Sequence, residues 1–253
     1  MSYAVPALLL LSAGCQLPPE ERARLLSANE SYRQGRYAQA TQQLDQFLTA
    51  NADRPEAAEA LYLRGLARLR QKQREPARAD LRAALAKSQR EDLTARAHVQ
   101  LGSFAFDDED WPAAVEHFRH AVRKLPRTEP TDQFLYRNAV ALQRVGQWDE
   151  ARLQYAMVLH FFPNGSAEPA ARRNFAWREH YFAIQCGVYR RRDAAHKQIP
   201  DLAAHGLRAA VRLEIRDADA VWIVYVGQYG TYAQARLALP RVQQARPDAF
   251  IVP

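Results

Sequence analysis

Few residues in this chain have types and spacings that could do chemistry. Its two cysteines, Cys15 and Cys186, have no basic partner nearby in the sequence, so neither reads as an activated nucleophile. Cys186 instead reads as a small buried hydrophobe. His117 and His120 lie at a spacing that a metal accepts, yet no third ligand accompanies them and they read as a solvated helix face. The acidic run FDDED, Phe106 to Asp110, lacks the glycine and spaced oxygens of a calcium loop. YRRRD, Tyr189 to Asp193, reads as an exposed charge run. No phosphate loop, nucleotide fingerprint or zinc-protease motif occurs, and no acid, base and nucleophile converge. The expectation is a protein that is not an enzyme and holds no cofactor or metal. What remains is Gln185, which interrupts the apolar stretch YFAIQCGVY with two donors and an acceptor on one amide.

An amide can act as a recognition group only if a strand presents it. In LRAAVRLEIRD, Val211, Leu213 and Ile215 alternate with Arg212, Glu214 and Arg216, a half-buried strand. VWIVYVGQY is a more apolar, central strand, and FIVP closes the chain as a fourth. A helix ending at Gly206 separates the first two strands, and a second, capped by Thr231, follows the third. Pro200 and Pro240 are expected to kink or end these helices. The order is βαββαβ, and short connections favour one antiparallel four-stranded sheet with both helices on one face. Alternation then turns Phe182, Ile184 and Cys186 toward the helices. Gln185 turns to the open face with Ile223 and Tyr225, beside Arg212 and Arg216.

The pairing of IQCGVY with VYVGQY about 40 residues later, then a helix and AFIV, resembles the SPOR domain over residues 180–253. That resemblance implies binding to peptidoglycan glycan strands stripped of their stem peptides, on the open sheet face. Gln185, Val188, Ile223 and Ile251 fall at positions the family uses for glycan contact, and Tyr189, Arg212, Trp222 and Tyr225 complete the expected site. Ile223 stands where a polar or basic residue is more usual, and Trp222 fits either the site or the helix-side core. The same strand order occurs in RNA-recognition domains, and the chain carries a net charge of +7. The third strand nevertheless lacks their basic-Gly-aromatic-Gly pattern, so no nucleic-acid partner is expected.

The middle of the chain repeats. Ala40, Ala77, Ala114 and Ala151 are spaced by 37 residues, with Leu44, Leu81, Phe118 and Tyr155 four places later. Ala28, Gly65, Gly102 and Ala139 stand twelve places before. Each unit is two amphipathic helices whose small residues mark a close crossing. The spacing resembles the tetratricopeptide repeat (TPR), four copies over residues 20–165. Residues 166–179 then form a capping helix and linker. Stacked hairpins leave a concave groove. Its expected positions are Asn29, Tyr32, Tyr62, Leu69, Phe106, Tyr136 and Gln143, suited to an unidentified protein partner, although apolar helical stripes more often pack between repeats.

The N-terminus, MSYAVPALLLLSAGCQL, has a short apolar run ending in small residues and Cys15. It resembles a bacterial lipobox, which implies a signal segment over residues 1–15, acylation of Cys15 and, with Gln16 following, outer-membrane retention. The 253 residues, 48% hydrophobic and 25% charged, suffice for two globular units. The whole chain therefore reads as an α + β multidomain protein, an all-α TPR solenoid followed by a ferredoxin/RRM-like SPOR sheet. The expected role is non-catalytic. A lipid-anchored envelope protein on the periplasmic side, enriched at the septum, binds glycan through one module and recruits a partner through the other, in cell division or envelope maintenance. The alternative is a scaffold for outer-membrane or envelope assembly whose SPOR-like domain does not bind glycan.

Overall fold

Small residues recurring every 37 positions bring helices close enough to pair, and the computed structural model, which describes residues 17–216 and 219–253, shows the pairs. They are α1 (Pro19–Arg33) with α2 (Tyr37–Asn51), α3 (Ala57–Arg70) with α4 (Arg74–Lys87), α5 (Glu91–Asp107) with α6 (Trp111–Ala121), and α7 (Thr131–Arg144) with α8 (Trp148–Phe161). Ala40, Ala77, Ala114 and Ala151 are wholly buried, as are Leu44, Leu81, Phe118 and Tyr155. A Cβ on Gly102 would stand 3.0 Å from the Phe118 ring, and one on Gly65 would stand 3.0 Å from Leu81 Cγ. The small column of each first helix is thus filled by the large column of the second, each large side chain contributing about 1.5–3 kcal/mol by burial. The expected signal segment 1–15 and acylated Cys15 lie outside the described residues.

The hairpin turns repeat in backbone as well. Gly35, Lys72, Glu109 and Gly146 all have positive φ, between 58° and 83°. In each, the next residue's N–H reaches back to a carbonyl of the preceding helix, as from Arg36 to Ser31 and from Gln73 to Arg68. This left-handed closure satisfies carbonyls that a helix end leaves unpaired.

The chain divides into two compact units at Pro126/Arg127. The first holds α1 to α6, with α2 packed on α3 and α4 on α5. The second holds α7, α8, a further helix α9 (Glu168–Ala176) and the sheet. The compact-unit boundary therefore falls inside the repeat region. Within the second unit the fourth hairpin touches the sheet domain: Trp148 lies 4.7 Å from Phe182, and the Arg144 guanidinium lies 3.6 Å above the ring of Tyr232.

The strands are β1 (Phe182–Tyr189), β2 (Ala209–Arg216), β3 (Asp219–Tyr229) and β4 (Phe250–Val252), in the antiparallel order β2-β3-β1-β4. Between β1 and β2 run α10 (Arg192–His196) and α11 (Gln198–Ala204), and α12 (Tyr232–Ala245) precedes β4. Pro200 lies in the first turn of α11, where its missing N–H is harmless, and the helix breaks just before it. Pro240 does not end α12. Thr231 caps α12 through a reciprocal pair with Gln234, both bonds 3.2 Å. Ala195, Leu202 and Val242 from these helices bury Ile184, Val224 and Val226. On β2 the expected buried alternation fails toward its end: Leu213 and Ile215 are 53% and 70% exposed.

Candidate functional site

Gln185 lies on the sheet face away from the helices, as alternation requires, but that face is not open. Ala183, Val221, Ile223 and Tyr225 form a second buried cluster there, with Trp177 and Tyr181 packed against it. The Trp177 ring stands nearly perpendicular to those of Tyr181 and Tyr225, at 5.7 and 5.6 Å. Its indole N–H donates to the Tyr181 carbonyl at 3.0 Å, closing the connecting segment 177–181 into a strap across the sheet. Ile223 is consequently 0% exposed and Gln185 6%.

Gln185 belongs to a polar network rather than a bare surface. Its Oε1 accepts from Arg216 Nη2 at 3.0 Å, and the same guanidinium pairs with Glu214 at 3.2 Å. The Tyr225 hydroxyl donates to Glu214 Oε1 at 2.5 Å. Burial, and then the acceptor Glu214 beside it, push the Tyr225 hydroxyl well above its ordinary pKa. Arg212 pairs with Glu179 at 3.2 Å and donates to the Tyr181 hydroxyl, tying strap to strand. Arg216, which alternation set beside Gln185, thus holds its amide, and Glu214, seen in the sequence only as part of the outward half of the strand, holds Arg216 in turn.

The expected site residues separate by face. Gln185, Val188, Arg212, Ile223 and Tyr225 share the strap side, where Val188 pairs with Ile223 and is 45% exposed. Phe250, opposite Gln185 on β4 and half exposed, joins them and escaped the sequence reading. Tyr189, Trp222 and Ile251 instead pack against the helix-side core. For Tyr189 the cause is a bulge between Gln185 and Gly187, which adds a residue to β1 and shifts the alternation beyond it, whereas Trp222 is turned there by alternation from Ile223 and Ile251 by its pairing with Ile184. The glycines of both motifs have a shared reason: a Cβ on Gly187 or Gly227 would stand 2.9 or 2.4 Å from the ring of the tyrosine two residues on, Tyr189 or Tyr229. Cys186, at the bulge, is half-buried, and burial raises its thiol to about 11, unsuited to nucleophilic work.

The groove positions are mostly occupied within the units. Tyr32 and Tyr62 are buried in the first unit's core, and Leu69 packs against it. Gln143 is buried and accepts from the Tyr155 hydroxyl at 2.6 Å. Phe106 is half-buried with its ring edge-on to Trp111 at 5.4 Å, and Tyr136 stands 5.9 Å from Tyr155. Asn29 is half-buried, its side-chain oxygen sealed without a hydrogen-bond partner.

His117 and His120 are not simply a solvated face, because His98 of α5 joins them. His98 Nδ1 lies 3.0 Å from His117 Nδ1, and its ring stacks on His120 at 4.7 Å. Among the described residues no group of three could hold a metal. Burial, with the adjacent His117 and His120 charges, lowers His98 to about 4, against Glu116, which favours its charge, and with Lys124, which opposes it. Burial lowers His117 as well. The unfolded chain therefore binds a proton at His98 that the folded chain refuses between about pH 6.5 and 4. Stability is full above that window and falls as pH drops through it. A series of urea midpoints from pH 7 to 4.5 is expected to slope less steeply for His98→Gln than for wild type; identical slopes would sink this reading.

Comparison with known proteins fits this geometry. Residues 179–253 match the SPOR domain model, a peptidoglycan-binding family, and the chain thus joins a TPR-like helical region to a C-terminal SPOR domain. Residues 16–91 match the model of YfiO, an outer membrane lipoprotein family. The helical part is similar to YrrB, described as a TPR protein with an unusual peptide-binding site, at 20% identity and TM-score 0.51, covering 64% of this chain and 82% of that one. It is also similar to MamA from AMB-1, at 20% identity and TM-score 0.50, covering 61% of this chain and 85% of that one. Both likenesses concern the fold. No curated protein matches significantly. The two matched families are typically non-catalytic binding domains.

Proposed function

We propose that this protein is a lipid-anchored component of the cell envelope that binds peptidoglycan glycan strands, stripped of their stem peptides, through its SPOR domain. The observation that carries this reading is the SPOR match over residues 179–253 together with a sheet face on which the part-exposed Arg216 and Glu214 are braced by the buried Gln185 and Tyr225 into one connected polar array. Amide, guanidinium and hydroxyl groups beside an aromatic surface suit the hydroxyls, acetamido groups and apolar ring faces of amino sugars. Anchoring through acylated Cys15 is supported by the outer membrane lipoprotein match, which starts at residue 16. The helical hairpins hold a protein partner, for which Asn29, Leu69, Phe106 and Tyr136 are the groove positions left half-buried.

Co-sedimentation of the full chain with intact sacculi and with sacculi treated by an amidase tests the glycan reading. Wild type is expected to pellet preferentially with the stripped material. Gln185→Ala releases Arg216 from its amide partner and is expected to weaken that binding about tenfold, the equivalent of about 1.4 kcal/mol. Equal pelleting on both materials would remove the preference for stripped strands, and no pelleting would leave an envelope scaffold whose SPOR domain does not bind glycan.

A further inference from the structure

The strap does more than cover the sheet. Between it and the ends of β2 and β3 lies a pocket of about 390 Å³, within the ordinary size for a small-ligand site. Trp177, Tyr181 and Tyr225 supply its aromatic walls, and Arg208, Arg212 and Gln228 its polar ones. Trp177 comes from outside the matched SPOR span, so this pocket is built jointly by the domain and the segment that leads into it.

The charges in the pocket are unequally committed. Arg212 is neutralised by Glu179 at 3.2 Å and held by the Tyr181 hydroxyl. The Gln228 amide lies 3.4 Å from the same hydroxyl. Arg208 is exposed, and its guanidinium has no hydrogen-bond or ion-pair partner among the described residues. A cavity with apolar ring walls and one uncompensated guanidinium at its rim suits a flat, amphipathic ring that carries one anionic group.

We propose that this pocket binds a carboxylate-bearing pyranose, its ring against Trp177 and Tyr225 and its carboxylate on Arg208. The inference rests on the glycan reading above and gives it a chemical basis. In peptidoglycan the stem peptide is joined by an amide to the lactyl carboxyl group of each muramic acid. Cleavage of that amide by water returns the carboxyl as a free anion and releases the peptide with a free amine. Stripped strands therefore differ from intact ones by a negative charge at every muramic residue, and a planar guanidinium pairs with a carboxylate in two parallel charge-assisted hydrogen bonds. Preference for stripped strands is then an attraction to what the cleavage exposes.

The test uses the full chain and two preparations of amidase-stripped glycan strands, one untreated and one with its lactyl carboxylates converted to methylamides. Wild type is expected to bind the untreated strands about tenfold more tightly than the methylamide form. Arg208→Ala is expected to bind both forms alike, at the affinity wild type shows for the methylamide. Arg208 is exposed, so its loss leaves the fold intact. If wild type binds both forms equally well, or Arg208→Ala keeps the tenfold preference, the carboxylate assignment is wrong and the glycan reading stands. If neither form binds wild type, the glycan reading falls and this inference with it.

Discussion

Ile223→Lys is expected to destabilise the sheet domain by about 4 kcal/mol. Ile223 is fully buried on the face away from the helices, among Ala183, Val221 and Tyr225 and beneath Trp177 and Tyr181. Removing it forfeits about 1.5–3 kcal/mol of apolar burial. The incoming ammonium would be buried without a carboxylate of its own, beside the cross-strand Arg212, whose Glu179 partner is already taken. Ile215→Lys, at a position 70% exposed on the same sheet, is expected to change stability by no more than about 0.5 kcal/mol. Urea midpoints for the two variants decide the matter. A basic residue tolerated at position 223 would mean that the strap lies off the sheet in solution and that the face is open, as alternation alone implies. A loss of several kcal/mol would establish the strap as part of the domain's core, and glycan then has to bind around it.

This contrast marks how far the residues alone carry the fold. The repeat register is legible because four copies agree: each alanine at 40, 77, 114 and 151 is wholly buried. The left-handed turn column is legible at Gly35 and Gly146, where glycine announces it, but not at Lys72 or Glu109, where the returning hydrogen bond imposes it on an ordinary residue. On the sheet, period-two alternation placed Gln185, Ile223 and Tyr225 on one face correctly. It could not follow Tyr189 past the bulge, and motif matching set Ile251 on the site although its pairing with Ile184 turns it to the helix side. Trp177, in the expected linker, and Tyr181, read as the start of the first strand, gave no signal of the strap because they act through non-local packing. Tyr32, Tyr62 and Gln143 show the opposite error, in which groove-like positions are core.

Asp80→Ala is expected to cost the first unit about 3 kcal/mol. Asp80 is 4% exposed and accepts from Arg64 Nε at 2.9 Å and Nη2 at 2.6 Å, and from Arg68 Nη1 at 2.8 Å. Asp45 takes a further bond from Arg64 at 2.6 Å, so the cluster ties α2, α3 and α4 together across two hairpins. Burial opposes the charge on Arg64, but the bonds and charges of Asp80 and Asp45 outweigh it and hold its pKa above the ordinary value. Removing Asp80 leaves two mostly buried guanidiniums with only the half-exposed Asp45 between them. That accounts for placing the loss at the lower end of the ~3–5 kcal/mol typical of a broken buried pair. Desolvation of three charges also consumes most of what their attraction returns. The triple variant Arg64→Met, Arg68→Met, Asp80→Leu is therefore expected to be as stable as wild type or more so, within about 1 kcal/mol. If the triple variant is as unstable as Asp80→Ala, the cluster contributes net stability; if it recovers, the cluster's contribution is to specify which hairpins pair, by joining Asp45 of α2, Arg64 and Arg68 of α3 and Asp80 of α4.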